Sequence, residues 1–216
     1  MDKKTQFQIN RVRSNYDALA EAYAREIAGE LHHRPLERDL LQRFAKACDG
    51  LICDLGCGPG HVARYASSFN PGVFGLDLSA GMLRQAHAKN PEIVFLAANM
   101  LELSLASGKL AGIIAFYSII HFDEKQVLQA FQEMCRTLRP GGHLLLGFHI
   151  GQEVVHTDEL WGIPVDFDAT FFDLNQLGGK LKSLRFKICE MVQRNPLPEV
   201  EYQSKRGYIW AQRATG

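Results

Sequence analysis

The 216-residue sequence lacks an excess of either charge, because 24 Lys and Arg residues balance 24 Asp and Glu residues. Proteins that bind nucleic acid generally show a basic excess or a basic face, so we expect no nucleic-acid partner. The sequence also lacks an apolar run approaching the ~20 residues of a membrane span. Residues 1–10 are polar and lack the apolar core of a signal peptide. We therefore expect a cytoplasmic protein with no membrane partner, and the sequence does not distinguish a monomer from a dimer.

Cysteines are few and scattered. The five of them, at positions 48, 53, 57, 135 and 189, are odd in number and form no compact framework. This usage predicts reduced thiols instead of disulfides. Cys53 and Cys57 have no second Cys or His pair at zinc spacing, so no metal site is expected.

The hydrophobic pattern predicts an alternation of helices and strands. Residues 11–47 have apolar positions at three- and four-residue spacing, which predicts helices, the second beginning near Pro35. Short apolar runs then alternate with helical stretches, as in a parallel sheet that is covered on both faces. The runs are residues 51–55, 73–77, 93–96, 112–116 and 143–148.

Two further strands are predicted near the end of the sequence, at residues 186–194 and 207–213. Their short, Pro-containing connection requires an antiparallel pair. The fold predicted is therefore α/β: a Rossmann-like seven-stranded, mostly parallel sheet with the last strand antiparallel and helices on both faces.

The organisation predicted is a single domain over residues 1–216. An N-terminal helical cap covers residues 1–48, and a ligand-binding core covers residues 49–149. Residues 150–172 show no clear period and are expected to form an inserted loop or a small lid. Residues 173–216 are expected to hold a helix and the antiparallel strand pair.

A glycine-rich turn, Asp54-Leu55-Gly56-Cys57-Gly58-Pro59-Gly60, follows the first predicted strand. Its glycines let the backbone approach a ligand closely, and the following helix offers free N–H groups. Asp77 ends the next strand, where a carboxylate can accept hydrogen bonds from both ribose hydroxyls. Together these features predict a nucleotide-like ligand at the carboxyl edge of the sheet.

A nicotinamide dinucleotide is the alternative ligand, because Gly58-x-Gly60-x-x-Ala63 matches the looser dinucleotide fingerprint. Two features favour S-adenosylmethionine over it. Asp54 precedes the glycines at the end of a strand, where it can face an ammonium group. The final antiparallel strand pair is the second feature.

Four segments together resemble the class I S-adenosylmethionine-dependent methyltransferases, in their small-molecule branch. The resemblance covers roughly residues 10–213. The segments are Asp54-x-Gly56-x-Gly58-x-Gly60, the Val73–Asp77 strand with the helix up to Ala86, Ala115-Phe116-Tyr117-Ser118-Ile119-Ile120-His121, and Leu138-Arg139-Pro140-Gly141-Gly142. The resemblance implies S-adenosyl-L-methionine as the cofactor and S-adenosyl-L-homocysteine as its product.

The resemblance also implies which residues bind the cofactor. They are Tyr16, Tyr23, Asp54, Gly56, Cys57, Gly58, Gly60, Asp77, Leu78, Met82, Asn99, Met100, Phe116 and Tyr117. In this assignment Gly56 lies beneath the methionine part, and Asp77 takes the ribose hydroxyls. Leu78 or Met82 packs on the adenine. The aromatic pair that follows strand four lies near the transferable methyl group, and the two tyrosines of the N-terminal helix close over the cofactor.

The sequence departs from the family pattern at two places. Asn99 stands where relatives often have an acid that contacts the adenine amino group, although an amide carbonyl can accept the same hydrogen bond. Leu110-Ala111-Gly112 lacks the aromatic residue and the acid that relatives usually carry before strand four. There we expect a local difference in stability and no change of chemistry.

The predicted function is methyl transfer to a small molecule, with a possible histidine base. His121, after the fourth strand, is the first candidate base, and His149, at the end of the fifth, is the second. Each could instead line the pocket without moving a proton. The alternatives are a non-catalytic S-adenosylmethionine-binding regulatory module and a protein or RNA methyltransferase. Glu201 and Arg206 flank the last turn, where they could reach the acceptor pocket, although we expect them to form a surface ion pair instead.

Overall fold

The computed structural model describes residues 2–215. Its helices are α1 (Lys3–Glu26), α2 (Pro35–Ala47), α3 (His61–Ser67), α4 (Ala80–Lys89), α5 (Glu124–Thr137) and α6 (Leu174–Ser183), with a 3-10 helix at Glu30–His33. Its strands are β1 (Ile52–Leu55), β2 (Val73–Asp77), β3 (Phe95–Ala97), β4 (Leu110–Phe116), β5 (Leu138–His149), β6 (Val154–Leu160), β7 (Ile163–Thr170), β8 (Phe186–Arg194) and β9 (Arg206–Arg213). Across these residues, no helix has both the length and the apolarity that crossing a bilayer requires.

Seven strands form one sheet in the order β3-β2-β1-β4-β5-β9-β8. The pairs from β3 to β5 are parallel, whereas β9 runs antiparallel to both β5 and β8. The predicted fold class is thus confirmed, including the single antiparallel strand at the end of the chain. The strand order reverses between β1 and β4, which is where open α/β sheets bind ligands.

Helices cover both faces of the sheet because neighbouring strand residues point to opposite sides. On β4, Ile113 packs into a core with α5 and α6, whereas Ile114 packs into a second core with α2, α3 and α4. Both side chains are fully buried. The two cores hold the strand ends rigidly and leave the carboxyl edge of the sheet free for a site.

Residues 150–172, predicted as an inserted loop or a small lid, contain the β6–β7 hairpin. Trp161 and Gly162 form its turn with φ of 52° and 77°, and positive φ at both turn residues suits the twist of a two-residue hairpin. A lone hairpin is marginally stable in water. Here Val165 and Phe167 pack with Leu19 of α1, which fixes the hairpin beside the carboxyl edge.

The Arg139-Pro140-Gly141-Gly142 segment has a Pro-Gly-Gly sequence that is typical of a turn, yet it lies within the bounds of β5. Leu110 pairs with Leu138, but Gly112 pairs with His143, so residues 139–142 bulge out of the β4–β5 pairing. Gly141 has φ of 76°, which a glycine adopts without steric cost. The bulge explains why the sequence pattern of a turn occurs inside an extended strand.

Candidate functional site

The glycine turn joins β1 to α3 at the carboxyl edge of the sheet. The N–H groups of Gly56 and Cys57 donate to the carbonyl of Leu76 at 2.7 and 3.0 Å, so the turn is anchored to β2. Gly56 has φ of 77°, and a Cβ there would lie 2.3 Å from the Cβ of Ser118. The position therefore admits only glycine without movement of the neighbouring loop.

Asp77 ends β2 and closes the other side of the same cleft. Its Oδ2 accepts from the N–H of Gly58 and its Oδ1 from the N–H of Ser79, each at 2.8 Å. Burial raises the pKa of this carboxyl above its usual range. Each oxygen keeps a further lone pair, so the carboxylate is held in place and can still accept hydrogen bonds from a ligand.

Asp54 is an acid that the protein itself leaves partly unpaired. The residue is 2% exposed, and its Oδ2 has no hydrogen-bond partner among residues 2–215. Burial raises the pKa of Asp54 to about 7. A positive group placed beside this oxygen would offset the desolvation penalty. The residue therefore fits the ammonium group that the sequence pattern led us to expect there.

Two adjoining cavities, of about 850 and 1570 Å³, open between the turn, α1 and the hairpin. All the predicted site residues except Gly60 line one or both of them. The smaller cavity is bounded by Asp77, Leu78, Met82, Asn99 and Met100, among others. The structure thus brings together residues from five separate segments, as the family resemblance implies.

Gly60 does not line either cavity. It has φ of 81° at the start of α3, and a Cβ there would lie 2.7 Å from the ring of Phe95. Gly60 therefore allows the start of α3 to pack closely against β3 of the sheet. Asn99 also differs in detail from the expectation, since its Oδ1 already accepts from the N–H of Leu101 at 3.0 Å.

His121 lies in the smaller cavity with both ring nitrogens engaged. Its Nδ1 contacts the backbone carbonyl of Asp168 at 2.9 Å, so this nitrogen carries the proton. Its Nε2 is 2.9 Å from the hydroxyl of Tyr16 and must accept that hydrogen bond. Burial lowers the pKa of His121 to about 4. The histidine therefore ties α1 to β7, and it offers a ligand no free nitrogen.

His149 lies in the larger cavity and has the opposite tautomer. Its Nδ1 lies 2.6 Å from the hydroxyl of Ser204, which can donate or accept, and 2.7 Å from the Nη1 of Arg206, which can only donate. The Nδ1 therefore accepts, and the proton of the neutral ring is on Nε2. Burial, with the positive charge of Arg206, lowers the pKa of His149 to about 3.

Glu201 and Arg206 form an ion pair, but their side chains are buried and line the larger cavity, so the prediction that the pair lies at the surface is wrong. The side chain of Glu201 is 1% exposed, and its Oε2 lies 3.4 Å from both Arg34 and Arg206. Arg194 donates to the same carboxylate, and the N–H of Leu197 donates to it at 2.8 Å. These contacts hold the pKa of Glu201 at about 2. The connection before β9 thereby becomes part of the cavity wall.

Arg34 and Tyr208 belong to the same cluster and were missed from the sequence. The guanidinium of Arg34 lies 6.0 Å from the ring centre of Tyr117, and that of Arg206 lies 5.5 Å from it. The hydroxyl of Tyr117 is 2.9 Å from that of Tyr208, which donates to Glu37. No local motif signals this cluster, because its members come from distant parts of the chain.

Tyr117 itself adopts φ of 54°, a conformation that non-glycine residues rarely take. Its N–H donates to the carbonyl of Gly147 at 2.7 Å, which holds the residue at the end of β4. The ring lines both cavities. Local strain at this point directs an aromatic side chain to the junction of the two cavities.

Burial of the neutral His121 ring should make the free energy of unfolding depend measurably on pH. Its pKa is about 4 in the folded protein, against about 6.5 in an unfolded chain. Between these values only the unfolded chain binds the proton, so stability is lost as the pH falls from 6.5 towards 4. In urea unfolding, we expect His121→Gln to reduce the pH slope of the unfolding free energy by about 1.4 kcal/mol per pH unit. Parallel curves for parent and variant would contradict the buried neutral ring. The raised pKa of Asp54 changes stability with pH in the opposite direction, but it does so equally in the parent and in the variant.

Cys57 lines the larger cavity, and burial raises the pKa of its thiol. The thiol is thus protonated at neutral pH and is a poor metal ligand. Over the described residues 2–215, no group of three or more His, Cys, Asp or Glu side chains is placed to hold a metal ion.

Comparison with known proteins gives matches to several methyltransferases. A family model described as a methyltransferase domain matches residues 52–142. The chain is 31% identical over 132 residues to malonyl-acyl-carrier-protein O-methyltransferase of Pseudescherichia vulneris, covering 59% of this chain and 52% of that protein. It is 39% identical over 71 residues to trans-aconitate 2-methyltransferase of Methylobacterium nodulans, covering 31% of this chain and 26% of that protein. The chain spans about half the length of the first of these relatives, or less for the second.

A solved structure of DhpI in complex with SAH (S-adenosyl-L-homocysteine) has the same fold. The TM-score is 0.75 at 17% sequence identity, over 96% of this chain and 98% of the other. The strand order, the glycine turn with its two acids and the match to the methyltransferase domain agree with one another. Residues 52–142 therefore match a methyltransferase domain, and the chain has the same fold as the SAH-bound protein.

Proposed function

We propose that this chain transfers a methyl group from S-adenosylmethionine to a small-molecule acceptor. The observation that carries the proposal is the junction of the two cavities. The smaller cavity holds Asp77 and the adenine-side residues, and the larger one extends from the same glycine turn to the hairpin. Tyr117 lines both. A cofactor and an acceptor can therefore meet at a shared wall.

A small acceptor is favoured because the larger cavity is roofed by the chain itself. The ring of Tyr16 on α1 stacks on Phe167 of β7, with centres 5.6 Å apart and planes 9° apart. Trp161 at the hairpin turn packs edge-on against Tyr23 at 5.5 Å. These contacts narrow the access that a folded protein or an RNA strand needs. The two relatives are named for different acceptors, so their names do not specify this one.

The cofactor, when bound, supplies a methyl group on a sulfonium that is already electrophilic. What the protein contributes is position and exclusion of water. Alignment of reacting groups can contribute about 7–11 kcal/mol to lowering a barrier. Asp54, Gly56 and Asp77 would hold the cofactor, and the rings of Phe116 and Tyr117 would shield the reacting centre. The aromatic roof would keep water from the acceptor.

The two histidines fit binding and positioning better than proton removal. The Nε2 of His121 already accepts from Tyr16, and the Nδ1 of His149 already accepts from Arg206. Both pKa values lie well below neutrality. A general base works best when its pKa is near the working pH. We therefore propose that neither ring takes a proton from the acceptor.

The test is transfer of a labelled methyl group from S-adenosylmethionine into a fractionated cell extract. We expect label in the small-molecule fraction with the parent protein and none above background with Asp77→Ala. Label in the protein or RNA fraction would show that the acceptor is a macromolecule and not a small molecule. Cofactor binding by calorimetry, with no label in any fraction, would favour a non-catalytic binding module.

A further inference from the structure

Buried polar atoms without a partner occur in the wall of the larger cavity. Within residues 2–215, the Oδ2 of Asp54, the Nδ1 of His61 and the Nε of Arg34 are buried and have no hydrogen-bond partner. All three residues line this cavity. Asp54 lies in β1 before the glycine turn, and His61 begins α3 directly after it. Buried polar atoms are normally paired, so this wall fits a polar ligand.

Glu30 holds two of these side chains with its two oxygens. Its Oε1 lies 2.8 Å from the Nε2 of His61, and its Oε2 lies 3.0 Å from the Nη2 of Arg34. Burial acts to raise the pKa of Glu30, but the hydrogen bond from His61 and the charge of Arg34 hold it below its usual range. Glu30 is therefore a carboxylate, and it places His61 and Arg34 side by side.

The contact with Glu30 sets what His61 can offer a ligand. A carboxylate can only accept, so the Nε2 of His61 carries a proton. In the neutral ring the Nδ1 then has a free lone pair, as the Oδ2 of Asp54 has. Arg34 differs from both, because a guanidinium can only donate. The wall thus combines two hydrogen-bond acceptors with a donor of positive charge.

A fourth unpartnered atom of this wall is the Nε of Arg206. The other nitrogens of this guanidinium already contact His149 at 2.7 Å, the carbonyl of Ser204 at 3.0 Å and that of Tyr202 at 2.9 Å. We therefore assign Arg206 to the acceptor end of the cavity, with His149.

The amino-acid end of S-adenosylmethionine complements the other three atoms. Its ammonium group has three N–H donors, which can reach more than one acceptor, and its carboxylate can only accept. The sequence pattern matches Asp54 to the ammonium group, but it assigns no residue to the carboxylate. An ammonium group beside both Asp54 and His61 would satisfy two buried acceptors at once, and a carboxylate beside Arg34 would satisfy the donor.

We propose that His61 and Arg34 bind the amino-acid end of the cofactor beside Asp54, and that Glu30 positions both. The ammonium group donates to the Oδ2 of Asp54 and to the Nδ1 of His61, and Arg34 donates to the carboxylate. This inference rests on the proposed function for the identity of the cofactor. It assigns one end of the larger cavity to the cofactor and leaves the other end to the acceptor.

Titration calorimetry with two ligands tests the role of His61 and Glu30 without methyl transfer. S-adenosylhomocysteine carries the amino-acid end, and methylthioadenosine is a thioether of the same nucleoside without it. We expect His61→Phe and Glu30→Gln each to weaken S-adenosylhomocysteine binding about tenfold or more, the scale of one lost hydrogen bond to a charged group. The affinity for methylthioadenosine should stay within about twofold of that of the parent, because this ligand makes neither contact.

His87→Phe is the matched control, since the Nε2 of His87 lies 3.0 Å from the carbonyl of Phe95 and the residue lines neither cavity. It should change neither affinity. Equal losses for both ligands in the His61 and Glu30 variants would show a structural role and overturn the assignment. Unchanged binding of S-adenosylhomocysteine, with slower methyl transfer, would overturn it too, because His61 would then act on the acceptor.

The contact of Arg34 is tested with the decarboxylated analogue of S-adenosylhomocysteine, which keeps the ammonium group. We expect the parent to bind this analogue about tenfold or more weakly than S-adenosylhomocysteine, and Arg34→Gln to bind both ligands equally within about twofold. A parent that does not distinguish the two ligands, or a variant that distinguishes them as the parent does, would overturn the role of Arg34. A parent that does not bind S-adenosylhomocysteine at all would contradict the proposed function itself.

Discussion

Asp77→Ala should weaken S-adenosylmethionine binding by about 100-fold or more. The carboxylate closes the smaller cavity and keeps lone pairs available, although Gly58 and Ser79 already donate to it. Hydrogen bonds to a charged group contribute roughly 1.5–3 kcal/mol each, and two ribose hydroxyls would make two of them. A loss of about 2.7 kcal/mol corresponds to 100-fold in affinity. Titration calorimetry measures the affinity directly.

Asp17→Ala is the matched control for this variant. Asp17 lies on α1 and accepts from the hydroxyl of Ser79 at 2.6 Å and from the N–H of Gly81 at 2.7 Å, but it lines neither of the two cavities. Its loss should cost about 1–2 kcal/mol of stability, as for a lost helix cap, and change cofactor affinity by less than fivefold. If Asp77→Ala binds the cofactor as tightly as the parent, the ribose is not at Asp77.

Glu201→Gln should lower the free energy of unfolding by about 3–5 kcal/mol, because it leaves buried arginines without their shared counter-charge. The side chain is 1% exposed and contacts Arg34, Arg194 and Arg206. Glutamine has the same shape, so the effect reports the charge and not the packing. Urea unfolding at neutral pH measures the loss.

Glu190→Gln is the control, since Glu190 pairs with Arg43 at 2.8 Å with both side chains more than 30% exposed. Exposed pairs of this kind contribute about 0–1 kcal/mol. Equal losses in the two variants would show that the cluster around Glu201 is not a buried structural element. The Glu201 contribution should also fade as the pH falls from about 4.5 towards 2, because its pKa of about 2 is depressed.

The fold was predictable because its signals are local. Runs such as Val73–Asp77 are short, apolar and followed by helical spacing, which is enough to specify parallel strands with crossover helices. The glycine turn and Asp77 could be placed in one cleft for the same reason, since carboxyl ends of neighbouring parallel strands meet at one edge. The hairpin was missed because its turn, Trp161-Gly162, is not a common turn dipeptide.

The polar wall of the larger cavity could not be predicted, because it is built from distant pairs. Arg194 contacts Glu37 across 157 positions, and Arg206 contacts His149 across 57. Each of these charged residues, taken alone in the sequence, is of a type that usually lies at a protein surface. The tautomers of the two histidines depend on a backbone carbonyl and a guanidinium that no spacing rule identifies. We expected a base at either histidine because each follows a strand at the carboxyl edge of the sheet. The contacts of the two rings favour binding and positioning instead.

The most direct test of the cofactor site is a crystal structure of the protein with S-adenosylhomocysteine. We expect the ribose hydroxyls on the carboxylate of Asp77, the amino group beside Asp54 and the sulfur facing the junction at Tyr117. The larger cavity, with His149, should then remain open to an acceptor. A ligand bound elsewhere, or one whose ribose makes no contact with Asp77, would contradict the assignment of the cleft.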